Sequence, residues 1–148
     1  MKKRIIKVIT IAIAVIMMCS CMFGTSVFAE SALVQPRLNN FNTSTFVFGV
    51  DDPGIAEVVV TYSAKEEVFT QAKLTVEIQK QTFWFFWTTV DIGEPDNKWI
   101  SYCTDIYGTF YKTFTVDGAG TYRAIIKLEV SGTGGTTDVV EETIESSY

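Results

Sequence analysis

Residues 72–80, Ala-Lys-Leu-Thr-Val-Glu-Ile-Gln-Lys, alternate apolar and polar side chains without a break. Ala72, Leu74, Val76 and Ile78 share one face of such a segment and Lys73, Thr75, Glu77 and Gln79 the other. That is the pattern of a strand with one side in a core and one in water. Tyr122, Ala124, Ile126, Leu128 and Val130 repeat it, with Arg123, Lys127 and Glu129 opposite. A period of two cannot be laid on a helix, and no window of ten or more residues beyond the N-terminal region reads as an amphipathic helix. Weaker strands read at 43–50, 55–63, 98–103, 110–116 and 137–146, and a further one at 83–92. Strong turn-formers separate them: "DDPG" (51–54), "GEPDN" (93–97), "DGAG" (117–120) and "SGTGG" (131–135). Seven or eight short strands within residues 43–148 point to an all-β fold, an antiparallel β-sandwich in a single domain.

The N-terminus has a different character. Lys2, Lys3, Arg4 and Lys7 precede an apolar run from Val8 to Met18, and Val27-Phe28-Ala29 offers a small-residue cleavage point. This is the plan of a secretory signal peptide over residues 1–29, followed by a loose leader at 30–42. A competing reading is lipidation at Cys21, but Met18 stands where such sites favour Leu. No second hydrophobic segment long enough to span a bilayer follows. Cleavage after Ala29 removes four of the 12 basic residues and none of the 17 acidic ones, leaving a net charge near −9 over 119 residues. So acidic a chain is unsuited to nucleic acid or to anionic lipid. It is expected to be a secreted, extracellular protein.

Cys19 and Cys21 leave with the signal, so Cys103 remains alone and no internal disulfide can form. It reads as a small apolar strand residue, with an intermolecular bridge as the alternative. The segment "VDGAGTYRAIIKLEV" (116–130) resembles the entry to strand F of immunoglobulin-like sandwiches, where a Tyr after an Asp-Gly turn bonds back to the corner. Tyr122 would be that residue. Asp117 lies five positions before it, one more than usual, and Ala124 stands where antibody-type domains carry cysteine. The resemblance therefore implies a disulfide-free relative of the immunoglobulin or fibronectin type III sandwich. A signal peptide, "LTVEIQK" (74–80), a Trp-containing strand soon after, "GTYR" (120–123) and a last hairpin also resemble a loose group of small exported β-sandwich proteins of Gram-positive bacteria. That resemblance implies the fold and brings no activity.

The unusual stretch is "QTFWFFWTTV" (81–90), with five aromatic residues in a row. Read as a strand, it places Trp84, Phe86, Thr88, Val90 and Ile92 on one face and Phe83, Phe85, Trp87, Thr89 and Asp91 on the other. The first set stays apolar to its end, so Trp84 and Phe86 are expected in the core. Phe83, Phe85 and Trp87 then point away and could bare roughly 450–750 Å² of aromatic surface. The candidate covers are the leader (Leu33, Val34, Leu38, Phe41) or the connection 101–109, a second protein copy or another surface protein, or a ligand such as a sugar ring or a lipid interface.

Chemistry is otherwise sparse. There is no histidine, no Gly-rich phosphate loop and no Cys/His zinc spacing, so neither a metal centre nor a cofactor is expected. Asp91, Glu94 and Asp96 are weak calcium candidates, and Glu94 with Asp96 is the only carboxylate pair to nominate for glycoside hydrolysis. The sequence therefore predicts a non-catalytic module, with a protein-binding, self-assembly or structural role through Phe83, Phe85 and Trp87. Carbohydrate or membrane-surface binding through the same aromatics is the alternative, and a small glycosidase the remote one.

Overall fold

The computed structural model describes residues 38–148 other than Asp52; the expected signal peptide and most of the leader lie outside the described residues. Alternation becomes strand wherever the sequence carries it. The order is β1 (Phe41–Asp51), β2 (Ile55–Ala64), β3 (Phe69–Thr82), β4 (Phe86–Thr89), a 3₁₀ turn at Pro95–Asn97, β5 (Trp99–Cys103), β6 (Tyr107–Thr115), β7 (Thr121–Gly132) and β8 (Asp138–Ser147). Every pairing is antiparallel, and the strands form two sheets. One sheet is β1-β2-β6; in the other β3 lies between β7 and the collinear pair β4 and β5, with β8 beyond β7.

This is the all-β sandwich expected, with β1, β2 and β6 set against β3, β7 and β8 in the immunoglobulin-like order. The core is made by the alternating positions of both sheets: Val58, Val60, Leu74, Val76, Ile78, Ile126 and Leu128 are fully buried. No disulfide joins the sheets among the described residues; Cys103 is free and half-buried.

The two ends of the sandwich are closed differently. At one end the residues that lead into β1 are clamped by Asp138, whose carboxylate accepts the amides of Asn39 (2.8 and 2.9 Å) and Asn40 (2.6 Å). The Asn40 side chain, fully buried, donates to the carbonyls of Val130 and Thr136 and accepts the Gly134 amide. At the other end the 51–55 turn is hydrogen-bonded to the residue that follows β6: Gly54, at φ +95°, takes the Val116 amide on its carbonyl at 2.9 Å. The connections 51–55 and 116–120 thus close the core at the level where Lys80 pairs with Tyr122. β3 continues past that level.

Candidate functional site: an aromatic hairpin tip

β3 pairs with β7 only as far as Lys80. Its last residues, Gln81 and Thr82, pair with Trp87 and Phe86 of β4 alone, so the β3–β4 hairpin overhangs the end of the sandwich. Residues 83–85 are the turn, not strand: the amides of Phe85 and Phe86 both donate to the Phe83 carbonyl, the latter at 3.0 Å. Phe83 and Trp84 sit at φ +48° and +42°, the left-handed region. An L-residue there costs about 1–2 kcal/mol, which is why glycine or asparagine normally occupies such positions. With neither present at 81–90, the sequence reads as a hairpin link at 80–82 followed by a strand over 83–92, and the structure corrects both: β3 runs on to Thr82 and the turn lies at 83–85.

The correction extends to the core assignment. Trp84 and Phe86, expected inside, are 90% and 60% exposed, while Phe83 and Phe85 are 86% and 72% exposed. The facing of alternate residues does not decide burial here, because the overhang has no opposing sheet to bury against. Further down the same face, where the three-stranded sheet lies opposite, Val90 and Ile92 do pack on the core. The tip therefore bares four contiguous aromatics. At these exposures they present on the order of 460–770 Å² of apolar surface, against about 300–600 Å² for the largest patch of a typical monomer.

Trp87, expected on the outward binding face, is half-buried and serves as an anchor. The Arg123 guanidinium lies over its ring at 4.2 Å from the centroid. Arg123 also donates to Gln79 Oε1 from Nε (2.8 Å) and Nη2 (2.6 Å). Gln79 in turn donates to Glu77 at 2.7 Å, which also accepts the Thr89 hydroxyl at 2.9 Å and faces Lys98 at 3.8 Å. The Gln79 and Thr89 hydrogen bonds, with the nearby Lys98 and Arg123 charges, hold the Glu77 carboxyl below its usual range despite partial burial. This network ties β4 to β3 and β7 just beneath the tip, so the hairpin stands on a braced base.

Tyr122 is fully buried at the corner next to that base. Its hydroxyl donates to the carbonyls of Asp117 (2.6 Å) and Gly118 (2.7 Å). Lys80 Nζ reaches the same two carbonyls (2.6 and 3.3 Å) and sits 5.1 Å over the Tyr122 ring. The hollow between Lys80, Val90, Asp91, Thr115, Asp117 and Tyr122 measures about 140 Å³, well below a ligand pocket of about 300–1,000 Å³.

Among the described residues, neither of the chain's own expected covers lies at the tip; Leu33 and Val34 fall outside those residues. Phe41 is buried in the core and Leu38 packs on it at the opposite end, where the Leu38 carbonyl accepts Lys65. The 14 residues of β3 separate that end from the tip by roughly 43 Å. The 101–109 stretch is not a long loop but parts of β5 and β6 with a short turn, also at the far end. Cys103 ends β5 there, its sulfur 3.7 Å from an Asp105 carboxylate oxygen.

The acidic candidates are dispersed by the loop that interrupts β4 and β5. Asp91 accepts the Gly93 amide at 2.9 Å, Glu94 forms an ion pair with Lys112, and Asp96 sits in the 3₁₀ turn at φ +54°. Glu94 and Asp96 border one shallow cleft of about 230 Å³ with Lys98 and Ile100. Among the described residues no three Asp, Glu or Cys side chains gather closely enough to hold a metal ion. No helix among them is long and apolar enough to cross a membrane. The chain matches no known protein family, and no curated protein matches it either.

Proposed function

We propose that the protein is a non-catalytic binding module, exported from the cell, whose contact element is the aromatic tip of the β3–β4 hairpin. The observation that carries this reading is the exposure of Phe83, Trp84, Phe85 and Phe86, between 60% and 90%, on an overhang that the core does not need. Burying that area in a partner would release about 11–19 kcal/mol gross, before the costs of association. The braced base supports the same reading: a contact element held in one geometry loses less entropy on binding. The tip is convex and its rings are not coplanar, Phe85 and Phe86 being tilted by 37° at 4.7 Å. Such a shape suits insertion into an apolar site better than stacking on flat sugar faces. Within this reading the chain is one of the small exported immunoglobulin- or fibronectin-like sandwiches that residues 60–146 resemble.

The test is retention on cell-envelope fractions of the labelled protein, purified as it leaves the cell, beside a Trp84→Ser/Phe85→Ser variant of matched circular dichroism. Saturable retention lost in the variant supports a tip-dependent binding module. A wild type that is retained nowhere, or a variant retained equally well, overturns it.

A further inference from the structure

Resting on that reading, we infer that the apolar medium the tip enters is the boundary between headgroups and acyl chains of a zwitterionic lipid bilayer. A lipid interior sets a condition that a protein groove does not: it supplies no hydrogen-bond partners, so inserted backbone groups must be satisfied from within. The tip meets this condition for three of its carbonyls, those of Phe83, Trp84 and Phe86, and leaves the amides of Phe83 and Trp84 to the ester carbonyls of the boundary. The Phe83 carbonyl takes the amides of Phe85 and Phe86. The Trp84 carbonyl, at the apex, takes Gln81 Nε2 at 2.8 Å. The Thr82 hydroxyl lies 3.5 Å from the Phe86 carbonyl and 3.2 Å from the Thr88 hydroxyl. Polar side chains that could have reached out to a partner are folded back onto the turn.

Charge and depth agree with that assignment. No charged residue occurs from Gln81 to Val90; the cations beside the hairpin are Lys80, held on the corner carbonyls beneath, and Arg123, stacked on Trp87 at the base and bonded to Gln79. Gln81, Thr82 and the turn rise about 10 Å above the Lys80 level, close to the ~5–10 Å by which interfacial elements sink below the headgroups. One Trp and three Phe at the apex, over a collar of Thr82, Thr88 and Thr89, place rings at the depth that membrane-interface aromatics favour. The lipid class follows from the net charge near −9 of the exported chain, which opposes an anionic surface and is indifferent to a zwitterionic one.

The experiment is flotation of the exported protein with phosphatidylcholine vesicles, combined with tryptophan quenching by phosphatidylcholine brominated on its acyl chains. The expected result is co-flotation, blue-shifted emission and bromine quenching. Trp84→Phe should remove most of the quenching, and Trp84→Ser/Phe85→Ser should lower partitioning at least about tenfold with the melting temperature retained. Vesicles rich in phosphatidylglycerol should bind more weakly at low salt and recover as salt screens the repulsion. No flotation, flotation indifferent to the tip substitutions, or protection of Trp84 by self-association without vesicles overturns the inference. If envelope retention stays tip-dependent while the vesicles are ignored, the lipid assignment falls and the binding module stands. If neither surface is bound, both fall.

Discussion

Replacing Trp84 by glycine should make the protein more stable while disabling it. Trp84 is 90% exposed and stands at φ +42°, so its side chain contributes almost no burial and its backbone conformation is costly. Releasing an L-residue from the left-handed region returns about 1–2 kcal/mol. Glycine gives back about 0.5–1 kcal/mol of that through the larger entropy of its unfolded chain. The net gain is about 0–1.5 kcal/mol, centred on about 0.75 kcal/mol, which is a rise of roughly 3 °C in melting temperature for a domain of this size. The assay is thermal denaturation followed by circular dichroism, with Trp84→Ala as the control. Alanine removes the same exposed ring but keeps a Cβ and hence the backbone penalty, so its melting temperature should stay within about 1 °C of wild type. Both variants should lose surface retention. A glycine variant that melts no higher than the alanine variant would refute the strain reasoning, and one that melts several degrees below wild type would mean the apex is packed after all.

Three further outcomes follow from the geometry. Tyr122→Phe should cost about 0.5–1.5 kcal/mol in chemical denaturation rather than the ~1–3 kcal/mol of an orphaned buried acceptor, because Lys80 still donates to both corner carbonyls. Asp138→Ala should cost about 2–3 kcal/mol, since it strips the acceptor from the Asn39 and Asn40 amides where β1 begins. The third concerns pH. Glu77 is held below its usual range as described, and Glu129 likewise, where hydrogen bonds and charge from Lys73 and Lys127 overcome an opposing burial effect. With the folded values lowered, their stabilisation is complete above the ordinary carboxyl value of about 4.3 and is lost as pH falls through the folded values. Denaturation curves from pH 6 to 3 should show that decline, with a shallower slope for Glu77→Gln and convergence of the two proteins at the acid end.

What could be read ahead of the structure tracks how local the determining physics is. The alternation at 72–80 and 122–130 specifies two central strands, because each residue's facing is set by its immediate neighbours and both faces find their medium. The Tyr122 corner is legible for the same reason: the turn and its donor lie five residues apart. Parity assigns Trp84 and Phe86 to the core on equally sound grounds, yet their burial depends on where β2 and β6 stop, which is a fact about other strands. Asp138 shows the opposite case. It opens the acidic last strand, where a carboxylate would ordinarily face water, but its partners Asn39 and Asn40 lie about a hundred residues away and draw it inside. Trp87 misled for a related reason, since Arg123 approaches it from β7. No spacing within 81–90 signals that contact.

The hairpin is also where the local rules are broken together. Ending β3 at Lys80 with an Asn-Gly turn would keep every contact in the core, relieve two left-handed aromatics and remove the largest bare apolar surface among the described residues. Instead the strand is carried two residues beyond its last β7 partner. The Trp84 and Phe86 carbonyls are covered by Gln81 and Thr82, and the base is locked by Arg123, Gln79 and Glu77. Solubility argues against each of these features, and stability gains nothing from the first two. Local rules are most often broken where a protein works, and here the breaches fall on the same few residues. The brace has no purpose in a hairpin that is merely loose, since a flexible aromatic loop would collapse onto the nearest apolar surface. Holding four rings away from the body, at a fixed height above a braced base, is the arrangement that the proposed contact surface requires.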